Sequence, residues 1–206
     1  LYFRMILTML VSLYTSRVVL NVLGVDDFGT YNVVGGVVTM FGFLNGAMAS
    51  ATQRFLSFEL GRNDLVQLRK TFNAAQIVHI GIALLVLVLA ETIGLWFLNN
   101  YLNIPAGRME AARWIYHFSV LSFMITIIQV PYNAVIIARE RMNVYAYVSI
   151  LEVLLKLLVV FALTWISFDK LKLYGILLFV VSFIVASIYR IYTLRQFDET
   201  RFEIVR

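Results

Sequence analysis

The sequence has no cysteine and only two prolines in 206 residues. Without thiols there are no disulfides, no thiolate metal ligands and no cysteine nucleophile, and the redox compartment leaves no trace. Charge is scarce as well: 14% of residues are Asp, Glu, Lys or Arg, against about 25% in an average soluble domain. A net charge of +5 invites comparison with nucleic-acid binders, but most basic residues lie between apolar runs, where they set orientation in a membrane. No nucleic-acid-binding tract remains. No constellation of Ser, His, Asp or Glu has the spacing of a soluble enzyme site, so neither catalysis, a metal nor a cofactor is expected.

What the sequence does contain is apolar length. Hydrophobic residues make up 61% of the chain, with a mean hydropathy of +0.85, which marks an integral membrane protein. A helix rising about 1.5 Å per residue needs roughly 20 apolar residues to cross the hydrocarbon core. Six segments qualify, approximately 1–23, 30–58, 72–98, 112–137, 143–166 and 171–193. Lipid offers backbone groups no partners, and these segments are too long for barrel strands, so an all-α bundle of six transmembrane helices is predicted. The chain opens at Leu1 inside an apolar run, with neither an initiator Met nor a cleavable leader pattern. That reads as an internal start in a longer protein.

Alternate connections differ in charge. One set carries Arg54, Arg62, Arg69, Lys70, Arg139, Arg141, Arg190, Arg195, Arg201 and Arg206; the other carries Asp26 and Asp27, then Arg108, Arg113, Lys170 and Lys172. Ten bases against four put the first set, and both ends of the chain, in the cytoplasm. Leu65, Leu68 and Phe72 recur at helical spacing in a basic connection, as in a short interfacial helix, although a plain solvated connection fits too.

Polar residues inside the spans are the candidates for function. Arg17 shares a helical face with Tyr14 and Asn21. A guanidinium held in hydrocarbon costs between about 3 and well over 10 kcal/mol. Arg17 either snorkels to the outer surface or faces a wet cavity and holds an anion such as phosphate. In the second span Gly42, Gly46 and Ser50 form a small-residue ridge suited to close helix approach, while Asn45 and Gln53 share another face, with Arg54 beside them as an anchor or a ligand. The fourth span carries Ser119, Ser122, Thr126, Gln129 and Asn133 beside Pro131, a stripe fit either to line a cavity or to tie helices together, with a kink at the proline. Glu152 and Lys156, four residues apart with the acid first, form either a structural ion pair or a relay that opens when a proton or ion competes. His79 reads as a packed residue and Glu91 as an outer carboxylate without a partner. The sixth span, with Gly175, Ser182 and Ser187, is expected to face lipid.

The run from Arg17 through LNVLG and DDFGTYNVVGGVV, continuing to ATQRFLSFELGR, resembles the opening of bacterial Wzx-like polysaccharide flippases. These belong to a superfamily shared with multidrug extruders. The resemblance implies two lobes of six or more helices around a cavity open alternately to each side, in the bacterial inner membrane. Residues 1–206 would then be the amino-terminal lobe, with the second lobe missing. It implies a cationic cavity for an undecaprenyl-pyrophosphate-linked oligosaccharide, with Arg17 best matched to the phosphate and Tyr14, Asn21, Arg54, Lys156, Gln129 and Asn133 as further cavity residues. Glu152 and Lys156 would serve a coupling ion, H+ or Na+, and glycan polymerase or assembly proteins would be partners. The alternatives are an ion-coupled multidrug-type exporter, disfavoured by the lack of acid in the first helix before Asp26, and a non-transporting scaffold of a glycan-assembly complex.

Overall fold

A computed structural model describes residues 2–105, 107–166 and 168–200, with side chains throughout those ranges except at 2–4, 43 and 44. Leu1, Arg201 and Arg206, used in the sequence reading, lie outside the described residues. Among the described residues there are only helices and their connections: α1 Tyr2–Leu23, α2 Val25–Thr39, α3 Gly42–Gly61, α4 Leu65–Leu89, α5 Leu95–Asn100, α6 Met109–Ala138, α7 Met142–Trp165 and α8 Lys170–Gln196. A π-helical turn, Ala90–Gly94, joins α4 to α5, and a 3-10 turn, Asp198–Thr200, follows α8. The chain is an all-α membrane protein lobe, and five stretches are long and apolar enough to span a bilayer: Met5–Leu23, Leu65–Asn100, Met109–Ala138, Met142–Trp165 and Lys170–Gln196.

Where the sequence predicts one helix over 30–58, the structure has two, α2 and α3, separated at Met40 and Phe41. The pair starts earlier as well, at Val25, because Gly24 with φ +82° ends α1 in a conformation that glycine reaches without steric cost. Asp26 and Asp27 then occupy the first turn of α2, where carboxylates complement the helix dipole. Around residues 65–72 the structure has neither a separate interfacial helix nor a solvated connection, the two alternatives left open by the sequence. Asp64 caps α4 by accepting from the Gln67 amide at 2.9 Å, and α4 runs on from there, with Leu68 and Phe72 buried. Likewise α6 continues through Pro131 as one helix.

Helix α6 is the hub, packing most extensively on α8 and also on α3, α4, α2 and α7. Gly175 makes the α6–α8 approach possible, since a Cβ there would lie 3.0 Å from the Ile115 side chain and 3.4 Å from its Cα. The expectation that the sixth span faces lipid is therefore corrected: α8 turns Leu171, Tyr174, Gly175, Val181, Val185 and Tyr189 inward. The ridge of Gly42 and Gly46 meets the opposite fate. A Cβ at either would touch nothing within 4 Å, so neither glycine is needed for a close approach to another described helix.

Side-chain ties group the connections at two ends. Arg108, just before α6, bonds Asp27 on α2 (Nε to Oδ1 2.7 Å, with Nη2 to Oδ2) and Asp169 before α8 (Nη1 to Oδ2 3.0 Å). Asp169 also caps α8 through the Leu171 and Lys172 amides. The α1–α2, α5–α6 and α7–α8 connections thus share one end. At the other, Arg139 after α6 pairs with Glu199 after α8 and lies over the Phe197 ring at 5.4 Å. This is the same division that the alternate-loop charges indicated.

Candidate functional site

Helix α1 carries two polar faces. Ser12, Thr15 and Ser16 point into a cavity of about 440 Å3 bounded also by α2, α6, α7 and α8. Tyr14, Arg17 and Asn21 lie roughly opposite on the helical wheel and are exposed, turned away from the bundle. The two sets alternate because the inward residues recur at steps of three and four with buried Val19 and Leu23.

The cavity wall is rich in hydroxyls. From α6 come Ser119, Ser122 and Thr126, from α8 Tyr174 and Ser182, from α2 Tyr31 and Thr39. Several spend their proton on their own helix: Ser122 on Phe118 O at 2.8 Å, Thr126 on Ser122 O at 3.1 Å, Ser182 on Leu178 O at 3.1 Å and Thr39 on Gly36 O at 2.9 Å. Their oxygens keep lone pairs to accept further hydrogen bonds. Lys156 also lines this space and donates to Glu152 Oε1 at 2.6 Å. The result is a cavity with a ring of hydroxyl acceptors and one ammonium, itself partly neutralised.

The remaining sequence candidates lie elsewhere. Gln129 donates to Asn133 at 3.3 Å and lines a second cavity of about 460 Å3 between α4, α6 and α8. Arg54 is exposed on α3. It sits about 10 Å of helix rise from Gly61, whereas Arg17 sits a similar rise from Gly24 at the other end. The structure therefore distributes six of the seven candidates over α1's outer face, two cavities and α3, and Asn133 lines neither cavity but accepts from Gln129. Among the described residues, neither Arg17 nor Arg54 has a carboxylate partner.

Glu91, for which the sequence suggests no partner, has one. The π turn that carries it faces α6, and its Oε1 lies 2.9 Å from His117 Nδ1. In the same turn Ala90 O accepts from Tyr116 Oη at 2.6 Å. His79 is fully buried, with Nδ1 2.7 Å from Ala75 O, so Nδ1 carries the proton and the residue is packed as expected. Among the described residues no three His, Cys, Asp or Glu side chains gather as metal ligands.

The MatE family model matches residues 1–162 of the chain. The chain belongs to the MatE family. No curated protein and no solved structure matches it. MatE proteins are multi-pass membrane transporters of the exporter type and not enzymes, which agrees with the apolar helices. Sequence reasoning missed the α1 hydroxyl face, whose signal, Ser12–Thr15–Ser16 at helical spacing, is present in the MatE chain but cheap. A hydroxyl in a membrane helix costs far less than a charged side chain and so does not stand out in an apolar run. The tie of Arg108 to Asp27 and Asp169 was equally invisible, since the partners lie 81 and 61 residues away.

Proposed function

We propose that this MatE chain is the amino-terminal, six-crossing lobe of a flippase moving an undecaprenyl-pyrophosphate-linked oligosaccharide from the cytoplasmic to the periplasmic leaflet of the bacterial inner membrane. The α2–α3 pair supplies the sixth crossing. The observation that carries the reading is Arg17: a guanidinium within a membrane span, exposed on the face of α1 turned away from its own bundle, with no carboxylate partner among the described residues. An unpaired cation there is expensive in lipid and useful against a phosphate. Tyr14 and Asn21 beside it add donors for the sugars and phosphate oxygens. The exposed α1 face would border a central cavity closed by a second lobe, and rocking of the lobes would change the open side.

The test is leaflet accessibility of a lipid-linked oligosaccharide in vesicles containing the full-length protein. Arg17→Ala should slow translocation at least about tenfold, the effect of losing roughly 1.4 kcal/mol of phosphate contact, while insertion and melting temperature are kept. Undiminished translocation by that variant sinks the assignment. One observation favours a second reading, ion-coupled export of small molecules: Glu152 places a carboxylate on Lys156 at a hydroxyl-lined cavity, a place where H+ or Na+ could compete. Drug sensitivity of a deletion strain with intact surface glycan would select it.

A further inference from the structure

The second cavity, between α4, α6 and α8, has a different character from the first. Its walls are mainly apolar, with Ile80, Ile125, Ile128 and Phe183 among them, and Arg190 stands at its polar end. Arg190 is exposed, and among the described residues it has no carboxylate partner; the acids nearest in sequence are Asp198 and Glu199, and Glu199 is held by Arg139. Its depth follows from the helix. The Arg108–Asp169 tie marks one membrane surface at the start of α8. From Lys170 to Arg190 the helix rises about 30 Å, the thickness of a hydrocarbon core. Arg190 therefore lies at the opposite interface, on the side of the α3–α4 and α6–α7 turns, with the apolar walls running from it toward mid-membrane.

We propose that this groove binds an anionic glycerophospholipid of that leaflet, its phosphate on Arg190 and one acyl chain between α4, α6 and α8. Charge complementarity selects the occupant. A guanidinium at the headgroup level favours a phosphate diester that is not neutralised by its own ammonium. The recess, about 460 Å3, is within the size range of ligand pockets. At the same end Gln129 has a second amide hydrogen to donate to an ester or phosphate oxygen, and Ser187, whose proton goes to Phe183 O, can accept from a headgroup hydroxyl. The proposal depends only on the chain spanning a bilayer and not on what the protein transports.

The experiment uses the full-length protein, delipidated in detergent and incubated with phosphatidylglycerol or phosphatidylcholine. Native mass spectrometry counts retained lipid, and an acyl-diazirine phosphatidylglycerol maps the contact by crosslinking. Expected are one retained phosphatidylglycerol, at least about tenfold preference over phosphatidylcholine, and crosslinks on α4, α6 or α8. Arg190→Gln should abolish the preference, Arg190→Lys should keep part of it, and Arg195→Gln, beyond the groove, should leave it unchanged. Ala186→Trp, which fills the groove without altering charge, should lower retention of both lipids. Equal retention of the two lipids by the unmodified protein, unchanged preference in Arg190→Gln, or crosslinks confined to α1 and α7 would each overturn the proposal.

Discussion

Replacing Arg108 with glutamine tests whether the three connections at one end of the bundle are held by a single guanidinium. Arg108 is about 30% exposed in its side chain, against 15% for Asp27 and 28% for Asp169, so the group is screened only in part. Hydrogen bonds to charged groups contribute about 1.5–3 kcal/mol each where buried, and exposed ion pairs about 0–1 kcal/mol. Arg108 makes bidentate contact with Asp27 and a further bond to Asp169, so intermediate exposure puts the whole tie at about 2 kcal/mol. Removing the cation also leaves two carboxylates facing each other. For a chain of this length that loss lowers the melting temperature by about 4–8 °C.

The assay is thermal unfolding of the full-length protein in detergent, run on Arg108→Gln, Asp27→Asn and the double variant. The coupling in that cycle should be about 1–2 kcal/mol, since the partners share one network. Asp169 stays unchanged because it also caps α8. The hydrogen bonds that Arg108 donates to Asp27, more than the surrounding carboxylate charge, hold its proton more tightly than in a free side chain. A cation whose folded pKa is raised gives stability that is fully present below its unfolded pKa and is lost only above it. The Arg108 charge is therefore constant at every pH at which the protein can be handled. Additivity of the two single substitutions, with a melting temperature lowered by less than about 1 °C, would refute the idea of a shared tie.

Gly94→Ala places a Cβ 2.1 Å from Tyr116 Oη, and Tyr116 is fully buried, so the ring cannot swing aside. Loss of its bond to Ala90 O costs about 1–3 kcal/mol, more than the roughly 1 kcal/mol alanine gains over glycine in a helix; Tyr116→Phe in the same background should recover part of the stability in thermal unfolding, and an unchanged Gly94→Ala melt would count against the packing argument. At the first cavity, Lys156→Met alone leaves the Glu152 carboxylate unpaired in a membrane span and should destabilise by about 2–3 kcal/mol, whereas Lys156→Met with Glu152→Gln should stay within about 1 kcal/mol of the parent. If the pair relays a coupling ion, the stable double variant will nevertheless lose gradient-driven transport in vesicles.

Periodicity and length were enough to read the helices from the sequence where a span is uninterrupted, as in α6, α7 and α8. They were not enough for α2 and α3. The stretch 30–58 is largely apolar, and glycines at 35, 36, 42 and 46 can either break a helix or pack one. Only tertiary context decides, and here it leaves Gly42 and Gly46 open while Gly94 and Gly175, unremarkable by spacing, are the ones pressed against neighbours. Glu91 shows the same limit. A lone acid in an apolar run gives no sign that a histidine 26 residues away will reach it, because the π turn that aims it has no local sequence signature.

Helix α1 explains why the candidate site was half legible. Charge and amide groups announce themselves in an apolar run because lipid penalises them heavily, so Arg17 and Asn21 stand out. Ser12, Thr15 and Ser16 carry small hydroxyls, which lipid penalises far less than a guanidinium, and they pass as packing. Yet the two sets are placed on opposite faces of the least buried of the five spans. α1 rests mainly on α7 and α2 and is joined to α2 through Gly24, whose end of the bundle is held by Arg108. A tilt of α1 about that fixed end would change the first cavity and the presentation of Arg17 together. Were α1 to tilt so, an outward-facing cation and an inward-facing hydroxyl cavity on one loosely packed helix would move together by rigid geometry alone, and spin labels on α1 that show no change in distance to α7 during transport would refute that coupling.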